Sequence, residues 1–236
     1  MNAVRYKYIL GGVKDLIGLA SVETITQRNL IRGLVSRRLS YIWGNTAWPS
    51  ITKWEERAVT DDAVNGDYVP LTEAGKDSID AVFAVRDKNP LVNIDSVNLE
   101  WALNHLGVTV PDGYSDLWLY YRKTRPRLVG DAYSATTSYS IGDQVYDPTE
   151  GDFFNCVAAS TGDAVTDTNF WERVEIPVEF EEFLVNGAFA DYLRNDGQED
   201  KSVRVAEAPA QKALKHALYV LKQSQGQQTR PRVNTY

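Results

Sequence analysis

The last quarter of the chain, residues 176–236, constrains the fold most, because two helical patterns there precede a polar segment. Pro177 suits the first turn of a helix, where its preset φ helps and its missing N–H is not needed. Asn195, Asp196 and Gly197 end this helix, since such residues tolerate left-handed backbone. Between these limits one apolar face recurs at three- and four-residue steps: Phe180, Phe183, Leu184, Gly187, Ala188 and Leu193.

A second helical stripe starts at about Gln198 and is mostly alanine, so we expect a neighbouring backbone to approach it closely. Its members are Val203, Ala206, Ala210, Ala213, Leu214, Ala217, Leu218 and Leu221. Pro209 either kinks this helix or marks the start of its second half. The following segment, residues 223–236, is polar and has too little apolar surface to order by itself. It is therefore expected to be an extended arm that is either disordered or ordered by another subunit.

The N-terminal part predicts one clear helix, which Thr24 or Thr26 caps and which ends at Gly44 and Asn45. Its apolar face consists of Leu30, Ile31, Leu34, Val35, Leu39, Ile42 and Trp43. Its arginines are expected elsewhere on the surface: Arg28, Arg32, Arg37 and Arg38. Residues 4–19 have roughly helical apolar spacing but contain three glycines, so their conformation stays open.

From Lys53 onwards the apolar period shifts towards two, which is typical of strands. The strand candidates are residues 56–59, 67–71, 79–85 and 116–122. Asn65 and Gly66 predict a hairpin turn between the first two. Residues 97–106 fit either a strand or a short helix. The indoles of Trp43, Trp48 and Trp54 are expected to pack the helix end against the first strand as core.

Residues 130–174 have a different composition, rich in Ser, Thr, Asp and Gly. Short strands are predicted at residues 144–146 and 153–157, with a turn at residues 148–151 between them. This segment is expected to be a small β module. Together with the helices at both ends of the chain, the strands predict an α+β fold.

Charge is spread unevenly along the chain. Residues 1–50 hold seven basic against two acidic residues, residues 51–195 hold 11 against 26, and residues 196–236 hold seven against four. Arg37, Arg38, Lys215 and Lys222 are candidate phosphate contacts, but the acidic middle would repel a bound duplex. An acidic surface that faces DNA instead favours sliding without tight binding.

The single cysteine, Cys156, rules out an intramolecular disulfide and is typical of a reducing compartment. No secretory leader is evident, and no stretch is long and apolar enough to span a bilayer. We therefore expect a soluble product made in the cytoplasm.

Patterns of catalytic chemistry are missing from the sequence. His105 and His216 lie far apart and have no Cys or carboxylate at metal-ligand spacing. Phosphate-loop, nucleophile-elbow and dinucleotide motifs do not occur. The adjacent glutamates at residues 55–56 and 181–182 point in different directions on any regular element, and we interpret them as solvated. The sequence predicts a protein that is not an enzyme and has no metal or cofactor.

A recognisable pattern lies within the β module. It consists of Tyr-Ser-Ile-Gly-Asp-Gln-Val-Tyr at residues 139–146, an aromatic strand from Phe153, and a closing Trp171. This span resembles the small chitin-binding-type modules of chitinases. The resemblance implies that Tyr139 and Trp171 are core and that Tyr133 is the possible carbohydrate contact. Ala158, Ala159 and Ser160 stand where that family carries further aromatics.

Short motifs outside the module form a second pattern, at residues 37–49, 54–59, 118–122, 190–198 and 225–236. They resemble the adaptor, or head-to-tail connector, proteins of tailed bacteriophages. The resemblance implies an adaptor core of residues 1–129 and 175–222, interrupted by the β module at 130–174 and followed by a C-terminal arm at 223–236.

The function that this resemblance implies is structural: a ring in the phage neck, below the capsid portal vertex. The ring, dodecameric by family resemblance, joins the portal protein to the tail or to further neck proteins. DNA passes through it without sequence-specific binding, and no membrane is involved. The resemblance assigns portal binding to the arm, through Gln225, Gln227, Gln228, Arg230, Arg232, Val233 and Tyr236.

Two other interpretations remain open. The alternative function is a sugar-binding accessory protein on the virion or cell surface that uses the β module. A monomeric domain with a disordered end is also compatible with the sequence.

Overall fold

A computed structural model describes residues 3–19, 24–64, 66–73 and 75–224 of the chain. The fold is mixed α+β, as the sequence predicts. The chain divides into two compact units. We call the first, Met1–Gly44 with Pro126–Tyr236, the helical unit, and the second, Asn45–Arg125, the sheet unit.

The helices are α1 (Tyr6–Ile17), α2 (Ile25–Asn45), α3 (Glu181–Asn195) and α4 (Asp200–Ser224), with a 3-10 turn at Val178–Phe180. The strands are β1 (Ala3–Val4), β2 (Thr52–Ala58), β3 (Tyr68–Pro70), β4 (Ile79–Arg86), β5 (Ala102–Leu103), β6 (Gly107–Thr109), β7 (Asp116–Lys123), β8 (Asp131–Ala132), β9 (Ser138–Tyr139), β10 (Gln144–Asp147), β11 (Asp152–Cys156), β12 (Ser160–Thr161), β13 (Trp171–Arg173) and β14 (Ile176–Pro177).

A capping box fixes the start of α2. Thr24 Oγ1 accepts a hydrogen bond from the backbone N–H of Gln27 at 3.2 Å, and Gln27 Oε1 accepts one from the N–H of Thr24 at 2.9 Å. This reciprocal pair satisfies two donors that the first helical turn leaves free. Of the two candidate caps, Thr24 is therefore the one used.

The predicted break between the C-terminal helices is confirmed. Gly197 has φ 75°, in the left-handed region that favours glycine. The N–H of Gln198 then bonds back to the carbonyl of Leu193 at 3.0 Å. The alternative in which Pro209 starts a separate helix is wrong, because α4 continues on both sides of it. Pro209 is exposed.

The alanine stripe of α4 is buried as predicted, and α4 packs against α3. Its buried members are Val203, Ala206, Ala210, Ala213, Leu214 and Leu221. At another contact of the helical unit, α1 packs on α3. A Cβ at Gly12 would lie 3.0 Å from the side chain of Val185, so glycine permits this close approach.

The β module contains the predicted strands. Its four-stranded sheet has the order β13-β11-β10-β8, and β10 and β11 pair antiparallel. One aromatic cluster fills it, with Val145, Phe154, Cys156, Val165 and Trp171 buried. The buried position expected for Trp171 is confirmed.

The β module also contacts the first helix. Arg5 Nε donates to Asp152 Oδ2 at 2.6 Å, and the ring of Tyr6 meets that of Phe153 edge-on with centroids 5.0 Å apart. Residues 126–224 thus share the helical unit with α1 and α2. Whether the β module folds by itself stays a prediction.

The sheet unit contains two three-stranded sheets, of order β2-β7-β4 and β3-β6-β5. The long aromatic strand is confirmed as β7. Residues 97–106 form the short strand β5 and no helix. Buried residues from both sheets form one core: Val69, Ile79, Val82, Val85, Val108, Val110, Leu117, Leu119 and Tyr121.

The predicted hairpin between the first two strands of this unit is wrong. All of β2 pairs with β7, from Thr52 opposite Arg122 to Ala58 opposite Asp116, because this distant strand offers it a longer partner. β3 pairs with β6 instead. Thr60 and Tyr68 form only an isolated bridge, and Asn65 lies outside the described residues.

The three tryptophans that were predicted as core differ in how deeply they are buried. Trp43 is 5% exposed and packs edge-on against Phe180, and Trp48 is 1% exposed. Their expected burial is confirmed. Trp54 is only half-buried and stacks on Tyr120 in its own sheet, with ring centroids 5.2 Å apart.

Candidate functional site

One arginine connects three helices of the helical unit through ion pairs with two carboxylates. Arg38 in α2 donates from Nε and NH2 to Asp191 in α3, at 2.7 and 2.8 Å. It also donates from NH1 and NH2 to Glu207 in α4, at 2.7 and 2.6 Å. Both carboxylates are bound through two oxygens, which is the strongest geometry for an arginine. We call Arg38, Asp191 and Glu207 the helix clamp.

The helix clamp is charged and largely enclosed. The side chain of Arg38 is 12% exposed and that of Asp191 5%. Burial opposes the charge of Arg38, but hydrogen bonds with Glu207 and Asp191 outweigh it and raise the pKa of the guanidinium. Burial likewise opposes ionisation of Glu207, but the bond from Arg38 outweighs it and lowers the pKa of that carboxyl.

A glycine makes room for the helix clamp. A Cβ at Gly187 in α3 would lie 2.9 Å from Cδ and 3.0 Å from Nε of Arg38. The guanidinium therefore lies directly against the backbone of α3. Asp191 follows one helical turn later on the same face and receives a further bond from Arg194 NH1 at 2.6 Å.

The surface position predicted for Arg38 is thus wrong, because the carboxylates of Asp191 and Glu207 bind it between the helices. Arg38 is consequently not available to a phosphate, whereas Arg37 is exposed. The sequence carried one signal of this arrangement: Asp191 interrupts the apolar face of α3, where an unpaired carboxylate would be costly. The predicted apolar face of α3 did not include Asp191, and no partner was predicted for Arg38.

A second cluster of charges lies in the sheet unit around Arg57, which is fully buried. Arg57 NH2 donates to Tyr121 Oη at 2.6 Å and to the backbone oxygen of Asp77. The same nitrogen lies 2.6 Å from Glu55 Oε2, to which Tyr121 Oη also donates at 2.6 Å. The other terminal nitrogen, Arg57 NH1, lies 3.6 Å from Glu73 Oε2. Within the described residues, this is the one carboxylate that NH1 approaches.

The solvated position predicted for Glu55 is wrong, because alternate residues of a strand face opposite sides and Glu55 lies on the core side with Arg57. Burial opposes its ionisation, but bonds with Lys53 and Tyr121 outweigh it and lower its pKa. Burial, strengthened by the bond to Glu55, raises the pKa of Tyr121 to about 12. Glu55 is therefore ionised and Tyr121 neutral at neutral pH, and the cluster serves as an ionic core. Glu56 is exposed.

The possible sugar contact, Tyr133, lies within the aromatic cluster of the β module. Its ring stacks on Tyr139 with centroids 5.9 Å apart and meets Trp171 edge-on at 5.8 Å. Its hydroxyl donates to the backbone oxygen of Asp163 at 2.7 Å. Tyr133 is half-buried, and sugar binding by it stays a prediction.

The helical unit has an apolar groove on its surface, with a volume of about 620 Å³. Residues of α1, α3 and α4 line it, including Leu16, Phe189, Leu193, Val205 and Pro209. Leu16 is 43% exposed and Val205 68%. We call this surface the helical groove. Further along α4, Tyr219 and Val220 are also exposed.

The seven residues assigned to portal binding, from Gln225 to Tyr236, lie outside the described residues. Within the described part of the chain, no helix combines the length and hydropathy needed to cross a lipid bilayer. In the same residues, no three side chains of the His, Cys, Asp or Glu type are grouped to hold a metal ion. His105 and His216 lie in different units.

No protein-family model matches the chain, and a search of curated proteins finds no match.

Proposed function

We propose that this chain is a structural virion protein, an adaptor subunit whose ring in the phage neck joins the portal to the tail and continues the DNA channel. The observation that best supports it is the construction of the helical unit. The helix clamp holds α2, α3 and α4 as one body, yet apolar side chains of α4 remain exposed. Exposed apolar surface on a rigid body is typical of a subunit that assembles with partners.

The C-terminal arm is the second part of the proposal. The arm was predicted to begin at residue 223, but α4 continues to Ser224 and so includes its first two residues. The remaining residues, 225–236, carry few apolar groups. Arg230 and Arg232 would pair with acidic groups of the portal, and Val233 and Tyr236 would be its apolar anchors. Repetition of this weak contact around a ring gives tight attachment without any stronger single contact.

The test is co-purification with the portal protein of the same phage. A variant that lacks residues 229–236 should keep its melting temperature, because the helix clamp and the alanine stripe are intact, and should lose portal binding. The matched control keeps residues 225–236 in shuffled order, so that length and charge are unchanged, and should also lose binding. Full binding by the truncated variant would show that the arm does not attach the ring.

Electron microscopy tests the ring itself. The full-length protein, alone at high concentration or bound to portal, should form rings of uniform subunit number. Monomers under both conditions would contradict the adaptor function.

A further inference from the structure

Basic charge is concentrated at the C-terminal end of an otherwise acidic chain. Residues 208–236 contain five basic residues and no acidic one, whereas residues 1–207 contain 20 basic and 32 acidic residues. Two of the five, Arg230 and Arg232, belong to the arm. The other three, Lys212, Lys215 and Lys222, lie in the second half of α4, where the structure shows how they are placed.

The three lysines share one side of α4 with a tyrosine. Lys212, Lys215, Tyr219 and Lys222 follow one another at steps of three or four residues, which places them on the same side of a helix. All four are exposed. We call these four residues the basic face. The opposite side of the same helical segment is buried in the helical unit: Ala210, Ala213, Leu214 and Leu221.

The charge of the basic face is not neutralised by the protein itself. Within the part of the chain that the structure describes, none of its three lysines forms an ion pair. The two carboxylates of α4 lie elsewhere and have other partners, since Glu207 binds Arg38 at 2.6 Å and Asp200 lies 4.0 Å from Arg204. Tyr219 Oη accepts a hydrogen bond from Gln223 Nε2 at 2.6 Å, so its own proton remains available to donate.

The dimensions and composition of the basic face fit a nucleic-acid backbone. With a rise of 1.5 Å per residue, Lys212 and Lys222 lie about 15 Å apart along the helix axis. Duplex DNA presents about nine phosphate charges over that length. A flexible lysine can reach any of several phosphates, so the contact needs no exact register. Protein interfaces, by contrast, are depleted of lysine. Duplex DNA therefore matches this face better than an acidic protein surface does.

We propose that the basic face binds the phosphate backbone of duplex DNA without reading its sequence, through Lys212, Lys215 and Lys222. In the proposed ring, the basic face of each copy contacts the DNA that passes through, and the inference rests on the proposed function for that placement alone. The acidic remainder of the chain repels phosphate and keeps each contact weak. Weak contacts of this electrostatic kind let a protein and DNA slide past each other.

Fluorescence anisotropy of a labelled duplex of mixed sequence, titrated with the full-length protein at several salt concentrations, measures the contact. Three neutralised phosphates predict a slope of log affinity against log salt of about −2.7. The affinity should therefore rise about 40-fold when salt is lowered from about 200 to 50 mM. A second duplex of unrelated sequence should bind equally well. A slope near zero, or no binding at the lower salt concentration, would overturn the proposal.

Charge-matched variants test whether the basic face makes the contact. The double variant Lys212→Gln with Lys215→Gln should have a slope of about −0.9 and bind at least about tenfold more weakly at low salt. The control, Arg37→Gln with Lys88→Gln, removes two exposed cations elsewhere and should keep the slope of the wild type. Both variants should melt like the wild type, because only exposed side chains change. Equal losses in the two would show that net charge alone governs binding and would overturn the proposal.

Portal co-purification separates the DNA contact from the arm and from an acidic protein partner. The double lysine variant should bind portal like the wild type. The chain that lacks residues 229–236 should bind DNA with an unchanged slope while it loses portal. A double lysine variant that loses portal but keeps DNA binding would show that the basic face contacts an acidic protein, which would overturn the inference. A wild-type chain that binds DNA as expected but no portal would contradict the adaptor function and leave the DNA contact supported.

Discussion

Arg38 connects three helices of the helical unit, because one guanidinium binds two carboxylates on two other helices. Removing one partner of a buried ion pair typically costs about 3–5 kcal/mol, since the remaining charge is left without compensation. The contact also fixes the spacing of α2 and α3, because Arg38 lies against the backbone at Gly187. The helix clamp is therefore sensitive both to lost charge and to added volume.

The first prediction concerns that added volume. Gly187→Ala should lower the free energy of unfolding by about 1–3 kcal/mol, since the new methyl group displaces an arginine held by two carboxylates. Gly33→Ala in α2 is the matched control, because nothing lies within 4 Å of a Cβ there. It should stabilise the protein by up to about 1 kcal/mol through helix propensity. Urea denaturation of both variants checks this, and equal effects would show that Arg38 moves aside freely.

The second prediction concerns the dependence of the protein's stability on pH. The pKa of Glu207 is lowered in the folded state from an ordinary value of 4.5. Its stabilising contribution is therefore complete above that value and is lost as the pH falls through the folded pKa. Glu207→Gln should be less stable than the wild type at about pH 6, and the difference should shrink towards about pH 3. Denaturant midpoints across this range test the sign; a constant difference would contradict it.

At the scale of elements, α2 begins with the capping box, in which Thr24 and Gln27 each accept a hydrogen bond from the other's backbone N–H. Thr24→Ala should destabilise the protein by about 1 kcal/mol, because the first turn loses its side-chain acceptor. Thr26→Ala lies two residues later on the same exposed turn and should be neutral or slightly stabilising. Thermal melting distinguishes the two, and the reverse order would mean that α2 starts later in solution.

Elements were predictable where the signal is local. The faces of α2, α3 and α4, the break at Gly197 and the aromatic strand β7 follow from periodicity and turn chemistry. The partner of β2 was not predictable, because its pairing with β7 depends on residues more than fifty positions away. The positions of the Glu55 and Arg38 side chains were not predictable either, because both depend on distant partners. Glu55 contacts Tyr121, and Arg38 contacts Asp191 and Glu207.

At the scale of the whole molecule, the sheet unit is inserted between α2 and the rest of the helical unit. Its entry and exit lie side by side, since Thr52 pairs with Arg122 and the N–H of Lys123 bonds to the carbonyl of Ile51 at 2.9 Å. An insertion whose ends meet costs little loop-closure entropy. The resemblance predicted the β module as the insert. No local pattern in the sequence indicated that residues 45–125 form a unit.

A fragment of residues 45–125 should therefore fold alone, because the core that its two sheets share contains only residues of this unit. We expect a cooperative urea transition with an m-value of about 1 kcal/mol/M. Val85→Asp, which places a carboxylate in that core, is the control and should abolish the transition. A broad, non-cooperative transition of the unmodified fragment would show that it requires the helical unit.

The thiol of Cys156 has a kinetic consequence. It donates to the carbonyl of Ala158 at 2.9 Å inside the β module, and burial, aided by Asp143, raises its pKa. Alkylating reagents attack the thiolate, so they reach this sulfur only when the module opens. The alkylation rate thus reports how often the β module opens, and the native cysteine serves as the probe. If its dependence on urea is weaker than that of global unfolding, the module opens as a separate cooperative unit while the remaining chain stays folded.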